Sequence, residues 1–386
     1  MPSIDTTQLL HELCDIDSRT LAAHQGTQRV SALLGQRLAS LGFELSWHDA
    51  QSLVPRGRHL LATRNKDLPG GVVLLGHSDT VLSPADVPWQ LDQQTGRVIG
   101  SGVCDMKGGL VVLVESLALA LKQSQRARDA RLIVLINSSE EQSVPSFRTL
   151  ARDKAGDASA CLCFEPAEAG DDGAQEFIVS RKAVMRIEVR CEGRAAHAGQ
   201  AHAQGVSAIR QLARIVEAVE SLTDSASDLS VNVGLFHGGK ASNQVPDHAT
   251  ATIDLRAFDA AVLDRAAETI RTICTTPTVF SAADGTPVKL SIAERLAYPP
   301  WPRGAATDGL AVRYVDAAQR RGLRVIPKAS GGGSDASHLA DLMPTIDGLG
   351  ILGGGLHTLE EWADTSTIGV RAQIAADLIA ELCGEW

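Results

Sequence analysis

The period of the hydrophobic positions changes along the chain and separates regions of different predicted structure. Over residues 6–41, Leu and Val recur at spacings of three and four, which predicts helix. Continuous apolar runs at 72–75, 132–136 and 160–164 predict buried strands, and a long apolar helix is predicted at 110–121. Strands without a polar side imply a sheet covered on both faces by helices. We therefore expect an α/β fold with a mostly parallel sheet.

A different pattern between residues 181 and 295 predicts a second domain. Residues 185–192 alternate between apolar and charged side chains, as in a strand with one solvated face. The elements that follow are a helix at 206–222, strands at 229–236 and 249–258, a helix at 260–274 and a strand at 288–293. This order, strand-helix-strand-strand-helix-strand, is that of a ferredoxin-like α+β domain. Earlier patterns then resume, so we predict a first domain formed by 1–180 and 296–386, with 181–295 inserted into it.

The composition excludes several classes of protein. The 386 residues are 44% hydrophobic and 21% charged, a balance typical of a globular protein and not of a disordered one. A formal net charge of -10 argues against a nucleic-acid or anionic-membrane surface. Seven cysteines without Cys-x-x-Cys spacing argue against a disulfide framework and a thiolate zinc site. Without a secretory pattern at the N-terminus or a membrane-spanning stretch, we expect a cytoplasmic protein.

Potential metal ligands follow the predicted strands at 72–75, 132–136 and 160–164 and a further apolar strand predicted at 349–352. In an open sheet, residues just beyond the carboxyl ends of the strands meet at one edge. Taken singly, each such residue has an ordinary explanation as a surface or packed side chain, but the set does not. Two imidazoles and three carboxylates suit two zinc ions that share a bridging carboxylate. The candidate metal ligands are His77, Asp105, Glu141, Glu165 and His357.

Neighbouring residues suggest the chemistry of this site. Asp79 is placed to accept the second imidazole proton of His77, with an ordinary turn aspartate as the alternative. Asp105 opens the apolar helix, where helix capping is an alternative that would not exclude coordination. Of the adjacent pair Glu140 and Glu141, one carboxylate must bind metal, while the other takes a proton from water and passes it to a leaving amine.

These motifs together resemble a known family. The combination resembles the signature of the co-catalytic di-zinc metallopeptidases that include glutamate carboxypeptidase, acetylornithine deacetylase and succinyl-diaminopimelate desuccinylase, with the glutamate carboxypeptidase branch as the most similar. The resemblance implies that His77, Asp105 and Glu165 hold one zinc, and that Asp105, Glu141 and His357 hold the other. It further implies that Glu140 is the general acid-base. The segments that carry the resemblance are 77–79, 102–109, 140–141, 164–166 and 357.

The inserted segment contains further matches to the family. His197, within residues 193–199, resembles the histidine that stabilises the oxyanion, and the resemblance leaves open whether it acts in its own or a partner subunit's site. Asn243 and Arg256 resemble positions that bind the substrate carboxylate, which a guanidinium can pair through two parallel hydrogen bonds. Gly332, in the triple-glycine loop at 331–333, resembles a pocket-lining position. A departure from the family follows the acid pair, where 142–146 lacks the usual glycine-serine.

The sequence therefore predicts a zinc-dependent hydrolase that activates water to cleave an amide next to a free carboxylate, as a glutamate-carboxypeptidase-like exopeptidase. Two divalent metal ions are implied, zinc first, with cobalt or manganese as alternatives. A deacylase of N-acyl amino acids is the alternative within the enzymes. A non-catalytic, metal-stabilised dimer that binds peptides or amino acids is the alternative from another class. We also expect a homodimer, formed through the inserted lid and dimerisation domain.

Overall fold

A computed structural model of the chain describes residues 5–20, 24–51, 57–170 and 172–384. Its α-helices are α1 (Thr6–Cys14), α2 (His24–Ser40), α3 (Gly109–Gln123), α4 (Gln125–Asp129), α5 (Pro145–Ala155), α6 (Ala208–Glu220), α7 (Ala260–Thr275), α8 (Ala305–Arg320) and α9 (Thr367–Leu382). Its strands are β1 (Glu44–Asp49), β2 (Arg58–Arg64), β3 (Val72–His77), β4 (Gln90–Leu91), β5 (Arg97–Ile99), β6 (Leu132–Asn137), β7 (Ala160–Cys163), β8 (Glu168–Ala169), β9 (Gln175–Arg181), β10 (Ala183–Glu192), β11 (Ala196–His197), β12 (Ser230–Gly238), β13 (Gln244–Val245), β14 (His248–Ala257), β15 (Lys289–Tyr298), β16 (Val325–Ser330), β17 (Thr345–Ile346), β18 (Gly353–Gly354) and β19 (Trp362–Asp364).

The chain divides into two compact units. The first comprises Met1–Ser180, Arg303–Ala329 and Ser334–Trp386, and the second comprises Arg181–Pro302 and Ser330–Gly333. The domain limits predicted from the sequence stay a prediction. Among the described helices, none combines the length and the apolar character needed to span a lipid bilayer.

A six-stranded sheet lies at the centre of the first unit, with the strand order β1-β2-β6-β3-β7-β17. Strands β6, β3, β7 and β17 are parallel, whereas β2 and β1 extend the sheet with antiparallel pairs. Val72 and Leu74 of β3 join one apolar cluster with α3 and α9, while Val73 and Leu75 are buried on the opposite face. Both faces are covered, which explains the continuous apolar runs. The predicted α/β class is confirmed.

The helical region predicted over residues 6–41 is two helices and not one. Helix α1 ends at Cys14 and α2 begins at His24. Between them, Arg19 forms an isolated parallel bridge with Thr80, which follows β3. A helix cannot continue through that extended pairing. The interruption thus brings the segment after α1 beside the end of a central strand.

The second unit contains an antiparallel sheet with the strand order β12-β14-β10-β15. Along β10, Ile187, Val189 and Cys191 are buried and join a cluster with α6 and α7, while Glu188 and Arg190 are exposed. This burial follows the alternation in the sequence because the helices cover only one face. The predicted order, strand-helix-strand-strand-helix-strand, is observed among these main elements.

Two glycines at the start of α3 allow the helix to approach the central sheet closely. A Cβ atom on Gly109 would lie 1.9 Å from the carbonyl oxygen of Phe164, the residue after β7. A Cβ atom on Gly108 would lie 2.5 Å from Cγ2 of Ile351. Such separations are far below van der Waals contact, so only glycine fits. The close approach brings the turn before α3 toward the end of β7.

We expect Gly109→Ala to destabilise the protein, because the added methyl group must displace the Phe164 backbone. Overpacking of this kind costs about 1–3 kcal/mol. Denaturant unfolding followed by circular dichroism measures the change. Gly369→Ala is the matched control, since Gly369 lies in the first turn of α9 and a Cβ there meets nothing within 4 Å. Equal stability of Gly109→Ala and the wild type would contradict the argument.

Candidate metal centre

The parallel strands of the first unit place several titratable side chains at one edge of the sheet. His77 is the last residue of β3, Glu140 and Glu141 follow β6, and Glu165 follows β7. Because β3, β6 and β7 are parallel, their carboxyl ends meet at the same edge. Asp105 reaches this edge from the turn Val103–Gly108, which leads directly into α3.

The first group of candidate ligands consists of His77, Asp105 and Glu165. Nε2 of His77 lies 3.1 Å from Oδ1 of Asp105 and 3.8 Å from Oε2 of Glu165. The His77 side chain is 1% exposed, and the two carboxylates are largely buried as well. Three donor atoms from three separate elements therefore converge at a protected point. We call these residues the first trio.

The second group, the second trio, consists of Asp105, Glu141 and His357. Nε2 of His357 lies 3.2 Å from Oδ2 of Asp105 and 3.3 Å from Oε2 of Glu141. His357 has a φ of 62°, a left-handed conformation that is uncommon for a residue with a side chain. The two oxygen atoms of Asp105 face different trios, which is the arrangement that a bridging carboxylate requires.

The electrostatics show how strongly this cluster attracts positive charge. Burial raises the pKa of Glu165 to about 7, against the lowering effect of His77. Burial also raises the pKa of Glu141, against the lowering effect of its hydrogen bond with His357. Hydrogen bonds to Asp105 and Glu141 raise the pKa of His357 to about 11. Without a further cation, burial therefore favours the protonated forms of Glu141 and Glu165. Asp105 is the exception, because its hydrogen bonds with His357 and His77 lower its pKa despite its burial.

One buried oxygen atom tests whether these residues fit a metal ion. Oε1 of Glu141 is buried and has no hydrogen-bond partner among the described residues. An unpaired buried carboxylate oxygen is costly unless a cation or a donor satisfies it. Together with the imidazole nitrogens and carboxylate oxygens of the trios, it forms a donor set suited to zinc and similar divalent ions. The residues present fit two metal ions.

Asp79 holds the turn that carries the acid pair. Its Oδ1 accepts the backbone N–H of Glu140 at 3.0 Å, and its Oδ2 accepts that of Glu141 at 3.1 Å. The hydroxyl of Thr20 donates to the same Oδ2 at 2.6 Å. Asp79 is fully buried, so these bonds are shielded from water. One carboxylate thus fixes the backbone of both glutamates.

The orientation of the His77 ring involves the main chain of Asp79 as well as its side chain. Nδ1 of His77 lies 3.0 Å from the Asp79 carbonyl oxygen and 3.5 Å from the Asp79 carboxylate. The nearer, hydrogen-bonded partner is the carbonyl, which leaves Nε2 to face the first trio. The sequence predicted that the Asp79 carboxylate accepts the second imidazole proton of His77. The structure places the Asp79 carbonyl oxygen closer to Nδ1 of His77 than the carboxylate.

Glu140 is half-buried beside the trios and belongs to neither of them. Burial raises the pKa of Glu140 well above its ordinary value, against the lowering effect of His77, and nearby Glu165 and Asp335 add to the increase. A carboxyl group with a raised pKa is suited to accept and return a proton near neutral pH. The acid pair therefore contains one group that faces His357 and one that lies outside both trios and has a strongly raised pKa.

The profile described as peptidase family M20/M25/M40 matches residues 73–381 of the chain. This region includes both trios and spans most of the sequence. The chain belongs to peptidase family M20/M25/M40. The resemblance inferred from the motifs is confirmed, and the protein is an M20 family metallohydrolase, a metallopeptidase or amidohydrolase. Enzymes of this family are dinuclear metal enzymes, in agreement with the two trios.

Individual M20 proteins show how far the similarity extends. Carboxypeptidase G2 from Pseudomonas sp. is 28% identical over 379 residues, covering 97% of this chain and 88% of the relative. Acetylornithine deacetylase from Photorhabdus laumondii is 24% identical over 273 residues, covering 66% of this chain and 67% of the relative. The crystal structure of a tripeptidase from Staphylococcus aureus superposes with a TM-score of 0.77 at 22% identity, covering 98% of each chain. It supports the fold.

In the second unit, the structure brings two predicted residues of this M20 protein together. His197 on β11 pairs with Gln244 of β13, and the carbonyl of Asn243 accepts the N–H of Ala198 at 2.9 Å. Nδ1 of His197 accepts the N–H groups of Gly199 and Gln200, each at 3.2 Å. A nitrogen that accepts hydrogen bonds carries no proton, so the ring proton is on Nε2. His197 therefore presents an N–H donor.

Arg256 lies beside the glycine loop in the same unit. Its Nε and Nη2 donate to the carboxylate of Asp254 at 2.6 and 3.3 Å, and its Nη1 donates to the carbonyl oxygen of Gly331 at 3.0 Å. The carbonyl of Gly332 accepts from Nη1 of Arg181 at 3.2 Å. A guanidinium has five N–H donors, so Arg256 retains one on each terminal nitrogen for a ligand.

Two residues near the trios were not singled out in the sequence. Thr20 lies between two helical segments, where nothing in its surroundings predicts a bond to Asp79. Glu361 is buried and accepts backbone N–H groups from the turn that carries Asp105. Alternation could have indicated Glu361, because it lies two residues before Ala363 and both are buried. The adjacent Glu360 is exposed, and the sequence alone does not distinguish the two glutamates. His202 and His338 lie outside both trios.

We expect the wild-type protein to bind two divalent ions per chain and His357→Ala to bind one, because only the second trio loses its imidazole. Metal content after dialysis against zinc or cobalt, measured by inductively coupled plasma mass spectrometry, gives the number of ions. His202→Ala is the matched control, since His202 is an exposed histidine of the second unit. Two ions in His357→Ala at the wild-type affinity would exclude His357 as a ligand.

Proposed function

We propose that this M20 protein hydrolyses an amide bond next to a free carboxylate, as a glutamate-carboxypeptidase-like exopeptidase. The two trios joined at Asp105, with Glu140 beside them, carry the proposal for hydrolysis. The similarity to carboxypeptidase G2 across 97% of the chain, against 66% for the deacetylase, favours the carboxypeptidase branch.

Two divalent cations, zinc first with cobalt or manganese as alternatives, would be held by the first and second trios and would supply Lewis acidity that lowers the pKa of water and polarises a carbonyl group. Glu140 takes a proton from the attacking water as the new carbon-oxygen bond forms. It then gives the proton to the amine nitrogen as the carbon-nitrogen bond breaks. The products are a free amine and a carboxyl group that retains the second proton of the water and then releases it to solvent.

Residues of the second unit supply the remaining parts of the proposal. The Nε2–H group of His197 donates a hydrogen bond to the oxyanion that develops on the carbonyl oxygen. Its tautomer, fixed by two backbone N–H groups at Nδ1, supports this role. Asn243 and Arg256 bind the substrate carboxylate, and the two unused N–H groups of Arg256 support a paired interaction. Gly332, next to the carbonyl that Arg256 holds, lines the substrate pocket.

We expect hydrolysis of a folate-type glutamate amide or a dipeptide with C-terminal glutamate, and little turnover of acetylornithine, because the similarity to carboxypeptidase G2 extends over 97% of the chain, against 66% for the deacetylase. Amine release by the zinc- or cobalt-loaded protein measures the turnover of each substrate.

Glu140→Gln should lower kcat by about 10²–10⁴-fold, since the glutamine cannot carry the proton. Metal content should not change. The exposed Glu168→Gln is the control with the same loss of charge.

Two results would favour the alternatives. Turnover of acetylornithine alone would support an N-acyl amino acid deacylase. With two metal ions bound and no amide hydrolysed in a broad panel, a non-catalytic binding protein would be favoured. Retained hydrolysis in Glu140→Gln would exclude Glu140 as the general acid-base.

We also propose a homodimer formed through the second unit and a cytoplasmic location. The edge strand β12 supports the dimer, because none of the described strands pairs with its outer side and because it exposes Leu235 at 55% and Phe236 at 42%. A free strand edge with apolar side chains is suited to pair with a second copy. The seven cysteines, all present as free thiols, support a reducing compartment.

We expect the wild type to sediment as a dimer at micromolar concentration and Leu235→Glu to sediment as a monomer, because the charge would be buried at the edge of β12. Analytical ultracentrifugation distinguishes the two. Leu342→Glu is the matched control, since Leu342 is a leucine of the first unit with 43% exposure. A monomeric wild type would contradict the dimer and would restrict His197 to its own subunit.

A further inference from the structure

Glu361 is a buried acid that does not belong to either trio. Its side chain is 3% exposed. Its Oε1 accepts the backbone N–H of Cys104 at 2.9 Å and that of Asp105 at 3.0 Å, and its Oε2 accepts that of Gly102 at 3.0 Å. Both oxygen atoms thus face the main chain of the turn that carries Asp105.

The position of Glu361 in the chain also places it near His357, another candidate metal ligand. It lies four residues after His357 and immediately before β19. Strand β19 pairs with β18, which precedes His357, and with β5, which precedes the Asp105 turn. The Glu361 carboxylate therefore joins the two segments that supply Asp105 and His357 to the second trio.

The Glu361 carboxylate accepts hydrogen bonds from main-chain N–H groups, whereas the nearby Lys107 donates to main-chain carbonyls. Burial raises the pKa of Glu361, while the backbone N–H groups of Asp105 and Cys104 lower it and favour the ionised form. Nζ of Lys107, the buried cation of the same turn, donates to the carbonyls of Ile16 and Ser101. Among the described residues, the hydrogen-bond donors to Glu361 are the three main-chain N–H groups.

We propose that Glu361 is a positioning residue for the metal centre. It fixes the backbone of Asp105 so that the two carboxylate oxygens of that residue face the two trios, and it holds the His357 segment in register with the same turn. It acts through Asp105 and does not touch the metal ions. The proposal rests on the ligand set of the proposed function. It assigns to Glu361 the orientation of the bridging ligand.

The test is the metal affinity of Glu361→Gln compared with Glu360→Gln. The glutamine keeps the size of the side chain but turns an amide N–H group toward a backbone N–H donor, so the turn loses at least one bond. Mutation of a residue that orients a metal ligand typically lowers metal affinity by about 10–100-fold. We expect a loss of that size for Glu361→Gln. Glu360 is the exposed neighbour with the same charge, and its variant should bind like the wild type.

Two measurements separate positioning from a general loss of stability. Competition with a chromophoric chelator gives the affinity for zinc, and the visible spectrum of the cobalt-loaded protein reports the geometry of the ligands. Leu34→Ala serves as a destabilised variant, because Leu34 is a buried residue of α2. It should lower the melting temperature without changing the cobalt spectrum. Glu361→Asp, which keeps the charge on a shorter side chain, should bind more weakly than the wild type.

The outcomes distinguish this inference from the proposed function. Two ions in the wild type, with weaker binding and an altered cobalt spectrum in Glu361→Gln, would support positioning. If the wild type and Glu361→Gln each bind two ions with equal affinity, the role of Glu361 is overturned and the proposed ligand set stands. Equal losses of affinity in Glu361→Gln and Leu34→Ala would also overturn it. Fewer than two ions in the wild type would overturn the ligand set, and the inference with it.

Discussion

Several carboxylates must remain close together at the buried end of a parallel sheet, and the chemistry of this protein depends on that constraint. Burial raises the pKa of Glu140, Glu141 and Glu165, so water-excluded surroundings alone would favour their neutral forms. Divalent cations at the two trios would reverse this preference for the ligands. Glu140 lies just outside both trios, where its raised pKa is suited to proton transfer. The same crowding therefore supports both the candidate ligands and the proposed acid-base role of Glu140.

The buried carboxylates of the first unit fall into two groups, which differ in what their oxygen atoms face. Asp105 and Glu165 turn their oxygen atoms toward imidazoles and other acids, as metal ligands do. Asp79 and Glu361 turn theirs toward backbone N–H groups and hold the turns that carry the acid pair and Asp105. Loss of such an acceptor leaves buried donors unsatisfied, at a cost of about 1–3 kcal/mol each. Asp79 and Glu361 thus fix the backbone of the candidate ligands while lying outside both trios.

The second unit supplies the groups on which substrate choice is proposed to depend. His197 has a defined tautomer because two backbone N–H groups occupy Nδ1. Arg256 is partly committed to Asp254 and Gly331, which orients its guanidinium and reduces the donors left for a substrate. Preorientation of this kind lowers the entropy lost when a carboxylate binds. In the proposed carboxylate site, Asp254 would orient Arg256, while its own charge would repel the substrate carboxylate.

The sequence by itself determined the α/β class, because continuous apolar runs such as 72–75 occur where both faces of a strand are buried. It also determined the M20 family and proposed the five ligands, since acids and histidines after parallel strands must meet at one edge. Only the tertiary structure decided what Asp79 and Glu361 contact. Local pattern does not distinguish a carboxylate that faces a ligand site from one that faces backbone N–H groups. That distinction depends on contacts such as Glu361 with Asp105, which join residues more than 250 positions apart.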